Sequence, residues 1–454
     1  MMDNTENKFV SFASSLDYGS LSEDAIYAAK IRIIDTFGCA LGAYDASTAD
    51  ICRKLAAPVS EGPRARIFGT LESVSIEHAT LANSAMVRYL DMSDAYLMTS
   101  TAHPSDNFPG ILALGEAYGV SGKDVLLATL ISYEAHCRVC DVAPFGPNGW
   151  DQPVGGAPAM ALAAARLLGL DPVKMRHAVA IAVVSSVALD QTRRGALSMW
   201  KGMAGPDAAR KGVYAALLAQ AGMTGPEEPF EGKHGLWAKT LGAQCDIPIP
   251  ERIEGHIFAL QQTNIKTYPV RDAIQIPVKT ALMIRERVAV DDIETLVIHT
   301  YRHAFLKAIE EPSTWDPRTR ESADHCLPYC LAAALVDGNV TPDSFKNERF
   351  LKADVRRLMV RMKIEFDAAY DEVAPATRSC RLEAIIKSGE VVTVEYKQTP
   401  EDILKGPSKQ QVEEKFRTLS ATAIGKDQQD ALLERIWALE TLGNVKALLD
   451  LTKI

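Results

Sequence analysis

The chain has 454 residues, room for two or three domains at about 150 residues each. Its 47% hydrophobic and 24% charged residues are those of a folded globular protein and exclude a disordered or fibrous one. A formal net charge of −9 excludes a general nucleic-acid or anionic-membrane surface, so an anionic ligand has to be held by a local cluster of Lys and Arg.

The N-terminus, MMDNTENKFVSFASSLDYG, is acidic and polar where a secretion signal needs a basic start and an apolar run, and a cytoplasmic location is expected. From Leu21 to about Gly222 apolar residues recur at three- and four-residue spacing, which predicts one helix after another. The first has Ser22 as its cap and Ile26, Ala29, Ile33, Phe37 and Leu41 on one stripe. Others are predicted at roughly 76–91, 106–119, 123–141, 155–169, 172–190 and 206–222, with Ser105, Asp106 and Asn107 as capping residues of the second. Alanine-rich runs such as APAMALAAARLLGL permit close helix–helix approach. Apolar stretches are broken by charge before reaching about 18 residues, so no membrane span is expected.

After IKTYPVRD (265–272) strand patterns appear in TLVIHTY (295–301), LMVRMKIEF (358–366) and CRLEAIIKSGEVVTVEY (380–396), the last a hairpin turning at Ser388, Gly389 and Glu390. Between them, ADHCLPYCLAAALVDG (323–338) predicts a helix ending at Gly338, and DAIQIPVKTALMIRERV another. Beyond QTPEDILKGPS the pattern is helical again. The predicted fold is mainly α with an α+β second domain: a large all-helical domain formed by both chain ends, 1–267 and 401–454, and an inserted α+β unit at 268–400.

No Walker loop, G-x-G-x-x-G, H-E-x-x-H or G-x-S-x-G occurs, which removes support for nucleotide, zincin and hydrolase chemistry. The eight cysteines (39, 52, 137, 140, 245, 326, 330 and 380) lie in apolar segments and read as free thiols packed in cores. HCRVCD (136–141) and HCLPYC (325–330) leave a zinc or iron–sulfur site as the alternative, but no metal centre is expected, since buried Cys is common without a ligand role.

Ionisable residues gather in five segments. Asp91 and Asp94 in YLDMSDAY are three apart; a helix would present both on one face, where like charge raises one pKa, and a solvated last turn is the alternative. His103 precedes Pro104, is biased to extended backbone, and stands before a helix whose free N–H groups attract anions and should lower its pKa. DQTRRGALSMWKGMAGPDAARKG (190–212) carries Arg193, Arg194 and Lys201 in a glycine-bearing loop suited to a carboxylate. Lys266 and Arg271 flank a proline at the domain boundary, where clefts are common, and Tyr329 is either a core tyrosine or an acid/base group. Acid/base candidates (Asp91, Asp94, His103, Tyr329) beside cationic clamps (Lys201, Lys266, Arg271) suit proton abstraction next to a carboxylate, followed by loss of water or carbon dioxide or by reprotonation.

LDMSDAY…AHPSDN, GWDQPVGGAPAMALAAARLLGL, SMWKGMAGPDAARKGVYAALLAQAGMTGP, IKTYP and DHCLPYCLAAALVDG, in this order along nearly the whole chain, resemble the MmgE/PrpD family. The resemblance implies an enzyme with no cofactor, a helical domain from both chain ends, an inserted lid domain, a site between the two, and a homodimer. It implies active-site positions for Asp91, His103, Lys201, Lys266 and Tyr329, with His103 foremost. This chain has Ala95 after Asp94 where decarboxylating members carry Thr nearby, and Asp151 and Arg271 where they carry His. The implied reaction is dehydration of a 2-methylcitrate-like hydroxy polycarboxylate. His103, Asp91, Asp94, Lys266 and Tyr329 would be the catalytic groups, and Lys201, Arg271, Asp151 and Arg194 would hold the substrate. An iminodisuccinate-like epimerisation or a cis-aconitate-like decarboxylation through the same acid/base site is the alternative. The partner is a small di- or tricarboxylate, with neither nucleic acid nor membrane.

Overall fold

The computed structural model describes residues 3–310 and 314–454. It is mainly helical with a small β part. The first helices are α1 (Asn4–Ser15), α2 (Glu23–Leu41), α3 (Ser47–Leu55), α4 (Ile76–Tyr89), α5 (Phe108–Tyr118), α6 (Gly122–Val142), α7 (Pro153–Leu167), α8 (Pro172–Ser185) and α9 (Ala204–Gln220). Asp3, Ser22, Ser75, Ser121 and Asp171 cap α1, α2, α4, α6 and α8 by accepting first-turn N–H groups, which fixes where those helices begin. Short antiparallel ribbons, β1 (Ala65–Arg66) with β2 (Ser73–Val74) and β3 (Tyr96–Leu97) with β4 (Thr101–Ala102), interrupt this run, so it is not the all-helical unit predicted.

The second ribbon serves the site. Tyr96 pairs with Ala102, which folds the chain back on itself and brings Asp94 beside His103. The helix predicted over 76–91 stops at Tyr89, and Asp91 has φ 51°, a left-handed conformation incompatible with a continuing helix. The helix predicted over 172–190 stops at Ser185 because the following residues pair instead with 149–151: Asp151 N–H donates to the Ala188 carbonyl and Asp190 N–H to that of Gly149. A turn of 3₁₀-helix, Pro104–Asn107, precedes α5, and none of Ser105, Asp106 and Asn107 caps α5 with its side chain.

Beyond α10 (Leu236–Thr240) come α11 (Gln275–Arg285), β5 (Ile293–Thr300), α12 (Arg302–Glu310), α13 (Arg320–Ala323), α14 (Leu327–Asp337), α15 (Ala353–Met359), β6 (Met362–Phe366), α16 (Ala368–Val373), β7 (Arg378–Ile386) and β8 (Val391–Gln398). The strand predicted from 358 begins at Met362, since Leu358 and Met359 complete α15. The helix predicted over 323–338 is divided: Pro328 cannot donate to a helix continuing from Arg320, so a new one starts at Leu327. That division leaves Asp324, His325 and Cys326 as an irregular link. The sheet order is β6–β5–β7–β8, parallel between β5 and β6 and antiparallel elsewhere, and α11 packs on β7 and β8.

The chain ends with α17 (Pro400–Lys405), α18 (Lys409–Ser420), α19 (Lys426–Trp437) and α20 (Lys446–Leu449), and α18 lies on α2. One hydrophobic core draws on residues from Phe9 to Leu260 and from Val412 to Leu449. A second draws on residues from Tyr268 to Val394. No helix among the described residues is long and apolar enough to cross a membrane.

Candidate active site

A cavity of about 640 Å³ opens between segments that belong to the two cores. Its most buried wall is organised by Asp91, which is 1% exposed. Asp91 Oδ1 accepts from Arg88 Nη1 at 2.5 Å and from Lys266 Nζ at 2.6 Å, its Oδ2 from Lys201 Nζ at 3.2 Å, and its carbonyl from Lys266 at 3.0 Å. The left-handed backbone at Asp91 lets one residue offer both its carbonyl and its carboxylate to Lys266. Burial opposes ionisation here, but Arg88, Lys201 and Lys266 outweigh it and hold the carboxyl well below the usual range. The expectation of a raised pKa from an Asp91–Asp94 pair is therefore corrected. Asp94 lies behind the wall, with Oδ1 accepting the Ser105 N–H.

Lys201 Nζ also lies 2.8 Å from Asp324 Oδ1, and Arg320 Nη1 is 3.4 Å from Asp324 Oδ2. His325 Nδ1 stands 2.7 Å from Asp324 Oδ1, and burial and the nearby Lys201 push its imidazole down to about 3. Asp91, Asp324 and His325 place ligand atoms within 4.8 Å of one another, the kind of donor set that holds a cation. The Lys201 ammonium lies between the two carboxylates, Arg88 and Lys266 also hold Asp91, and Arg320 lies beside Asp324, so cations of the chain itself already balance both acids.

His103 is 7% exposed and faces the cavity. Its Nδ1 lies 2.9 Å from the Asp94 carbonyl, which can only accept, so Nδ1 carries the proton. Nε2 is left with a lone pair, 3.1 Å from Arg88 Nη2. Burial first, then Arg88 and Lys266, keep the imidazole neutral, far below its ordinary range. The lowered pKa matches the expected direction, with burial as its first cause and the two cations after it. Behind Arg88, Asp106 is 3% exposed with neither carboxyl oxygen hydrogen-bonded; its Oδ2 is 3.9 Å from Arg88 Nε, and burial pushes it up to about 7.

Nearer the mouth, Arg193 grips Asp151 with Nε at 3.0 and 3.1 Å and Nη2 at 2.9 Å, and donates through Nη1 to the Lys201 carbonyl at 2.8 Å. Asp151 is thus committed to an ion pair that orients the Lys201 loop. Arg194 pairs with Asp190 at 2.5 Å, and Arg302 with Asp371 at 3.0 Å. Arg271 Nη2 meets His303 Nε2 at 2.6 Å.

Asp91, His103, Lys266 and Arg271 are thus brought together on the wall, with Lys201 directly behind Asp91 and Asp151 and Arg194 near the mouth. Tyr329 is not among them. It is fully buried in the second core between Phe345 and Phe350, and its hydroxyl donates to the Ser344 carbonyl, so the acid/base assignment is corrected to a core tyrosine. The same segment supplies Asp324 and His325 instead, and α4 supplies Arg88, none of which the sequence reading singled out. An Asp-His pair directly before a helix-starting Leu-Pro was the available signal for the first two. The cysteines are free and, Cys245 apart, buried; Cys137 and Cys140 pack side by side in apolar surroundings that raise both thiols, and Cys326 caps α14.

Comparison with known proteins finds a family match along most of the chain. The MmgE/PrpD N-terminal domain matches residues 7–246 and the MmgE/PrpD C-terminal domain residues 268–441. The chain is 25% identical to human cis-aconitate decarboxylase, over 100% of this chain and 95% of that protein. It is 28% identical to the 2-methylcitrate dehydratase of Cupriavidus necator, over 89% of this chain and 88% of that one. With the Salmonella typhi 2-methylcitrate dehydratase it shares 28% identity, over 73% and 72%.

Proposed function

The chain belongs to the MmgE/PrpD family, and from that premise we propose that it is a lyase that removes water from a small hydroxy polycarboxylate of the 2-methylcitrate kind. The observation that carries this reading is His103: a buried, neutral imidazole whose Nε2 lone pair faces the cavity beside Lys266 and Arg88. A substrate carboxylate seated on Arg88 and Lys266 draws the Arg88 N–H away from Nε2 and frees the lone pair. His103 then takes the proton from the carbon next to that carboxylate. The two cations stabilise the charge that develops on the carboxylate oxygens. Lys266, whose pKa burial lowers, gives a proton to the departing hydroxyl, which leaves as water. Asp91 holds Lys266 and Arg88 in place, Asp94 fixes the His103 tautomer through its carbonyl, and Arg271 takes a second carboxylate.

Residues 268–400 act in this reading as a lid domain over a helical domain built from 1–267 and 401–454, with substrate bound between them. Support comes from the separate core of residues 268–394 and from wall residues on both sides of the cavity.

Decarboxylation is the second reading, since relatives spanning the whole chain include a decarboxylase. It shares the carboxylate seats and differs in the bond broken. Against 2-methylcitrate and cis-aconitate, the dehydratase reading expects growth of conjugated-alkene absorbance from the first and no carbon dioxide from the second. His103→Ala is expected to lower kcat by about 10²–10⁴-fold. Full activity in that variant would sink the assignment of the base.

A further inference from the structure

Resting on the dehydration reading above, we infer that His325 Nε2 accepts a hydrogen bond from the hydroxyl that the substrate loses, so that the site selects a hydroxy polycarboxylate over the same acid without its hydroxyl. The irregular link between α13 and α14 lets two consecutive side chains meet: His325 Nδ1 is 2.7 Å from Asp324 Oδ1, and it is 3.5 Å from Asp91 Oδ2. A carboxylate oxygen accepts, so Nδ1 carries the proton of the ring, and burial with the nearby Lys201 keeps the ring neutral. Nε2 is then an acceptor and nothing else. It makes no hydrogen bond among the described residues, and the ring, 18% exposed, lines the cavity. The matching nitrogen of His103 differs, because Arg88 Nη2 stands 3.1 Å from it.

An acceptor-only nitrogen repels a carboxylate and attracts a donor. In the reading above the carboxylates of the substrate go to Arg88, Lys266 and Arg271, and its hydroxyl is the one O–H donor that an ionised hydroxy polycarboxylate carries. Lys266 Nζ sits on Oδ1 of Asp91 and His325 Nδ1 beside Oδ2, so both border one carboxylate. A hydroxyl placed there gives its hydrogen to Nε2 and offers its oxygen lone pair to Lys266. When the C–O bond breaks, the oxygen takes the Lys266 proton and leaves as water, its original hydrogen still bonded to Nε2. Other polar groups of the wall do not make this choice. Ser100 Oγ donates to the Ala143 carbonyl and accepts the Phe145 N–H, Ser322 Oγ is bonded to the Leu197 N–H and Thr319 Oγ1, and Thr99 Oγ1 donates to the Asp141 carbonyl. Thr101, Gln152 and Tyr301 can each donate as well as accept, so they serve an acid with or without a hydroxyl. A ligand on the wall displaces water from Nε2, and one without a donor leaves that nitrogen unpaired.

Three acids of equal skeleton and charge separate the possibilities: citrate, tricarballylate, which has hydrogen in place of the hydroxyl, and the analogue that has fluorine there. Titration calorimetry on the His103→Ala protein, where no acid is turned over, is expected to show citrate binding about tenfold or more tighter than tricarballylate. The fluoro analogue accepts and cannot donate, so it should bind as weakly as tricarballylate. Adding His325→Leu should bring citrate down to tricarballylate and leave tricarballylate unchanged. His325→Gln, whose amide oxygen can stand in for Nε2, should keep part of the preference. The fluoro comparison leaves residue 325 untouched and decides even where the leucine variant does not fold. If tricarballylate or the fluoro analogue binds as tightly as citrate, or His325→Leu weakens all three acids alike, the hydroxyl assignment is overturned while the polycarboxylate reading stands. If none of the three binds, the polycarboxylate reading itself fails and the inference falls with it.

Discussion

Arg88 is the residue through which the charges of the site communicate: it donates to Asp91, touches the base nitrogen of His103, and has Asp106 behind it. Asp106 packs against Gly205, where a side chain would collide with its carboxyl, so this acid is sealed in without a hydrogen bond. Its folded-state pKa is pushed up to about 7, whereas an unfolded aspartate releases its proton near 4. Between those values the folded protein holds more protons than the unfolded one, so stability falls as pH rises through that window. Asp106→Asn has no proton to lose. Its melting temperature relative to the parent protein should therefore climb between pH 5 and pH 8 in scanning calorimetry, and a flat difference would mean that the carboxyl is ionised throughout. At this scale the sequence was legible where unusual residues mark the chain, as His-Pro at 103 and the lysine of IKTYP do. It was not legible where a residue's meaning comes from a distant partner. Arg88 reads as an ordinary polar position of a helix until Asp91 and His103 are folded onto it. Tyr329 carries the opposite lesson, because a helical pattern does not say which core a side chain enters.

The elements that hold these residues are close-packed helices, and small residues decide how close. α9 crosses α7 at Gly212, where an added Cβ would lie 2.5 Å from the Ala157 carbonyl oxygen and 2.6 Å from Met160 Cβ. Alanine is the better helix former by about 1 kcal/mol. Yet backbone on α7 cannot swing aside as a flexible side chain can, so Gly212→Ala should destabilise the protein by about 1–3 kcal/mol net in urea unfolding. Gly146→Ala meets nothing within 4 Å and should stay within about 0.5 kcal/mol of the parent, which separates a helix-packing effect from a general intolerance of alanine. Helices with a strong apolar period and a capping residue, such as α2 after Ser22 and α6 after Ser121, were readable to within a residue or two. Boundaries failed where tertiary contacts compete with the helix: after Ser185 the chain leaves α8 to bond with residues 149–151, a pairing that no local pattern announces. The β3–β4 ribbon is only two residues a strand, too short for alternation to register, although it brings Asp94 to His103.

Across the whole molecule, the end of the chain braces the site from behind. Lys415 on α18 is half-buried and bonds Asp35 Oδ1 on α2 at 2.5 Å, the carbonyl of Met92, 323 residues earlier, at 2.8 Å, and that of Lys266 at 2.8 Å. One ammonium thus ties the final helices to the turn after Asp91 and to the segment bearing Lys266, and it lines no part of the cavity. Lys415→Met leaves Asp35 buried without its cation, which should cost about 3–5 kcal/mol of stability, and activity should fall with it. The loss of activity has two possible sources, unfolding or slack in the Met92 and Lys266 backbone, and a second substitution separates them. In Lys415→Met/Asp35→Leu the ion pair is replaced by apolar side chains, an exchange that is often neutral for stability, so the melting temperature should return close to the parent value. The carbonyls of Met92 and Lys266 still lack their donor, so kcat should stay low. Recovery of kcat together with melting temperature would mean that Lys415 stabilises the protein without positioning Lys266, and that the seat of the substrate carboxylate is set by Asp91 alone.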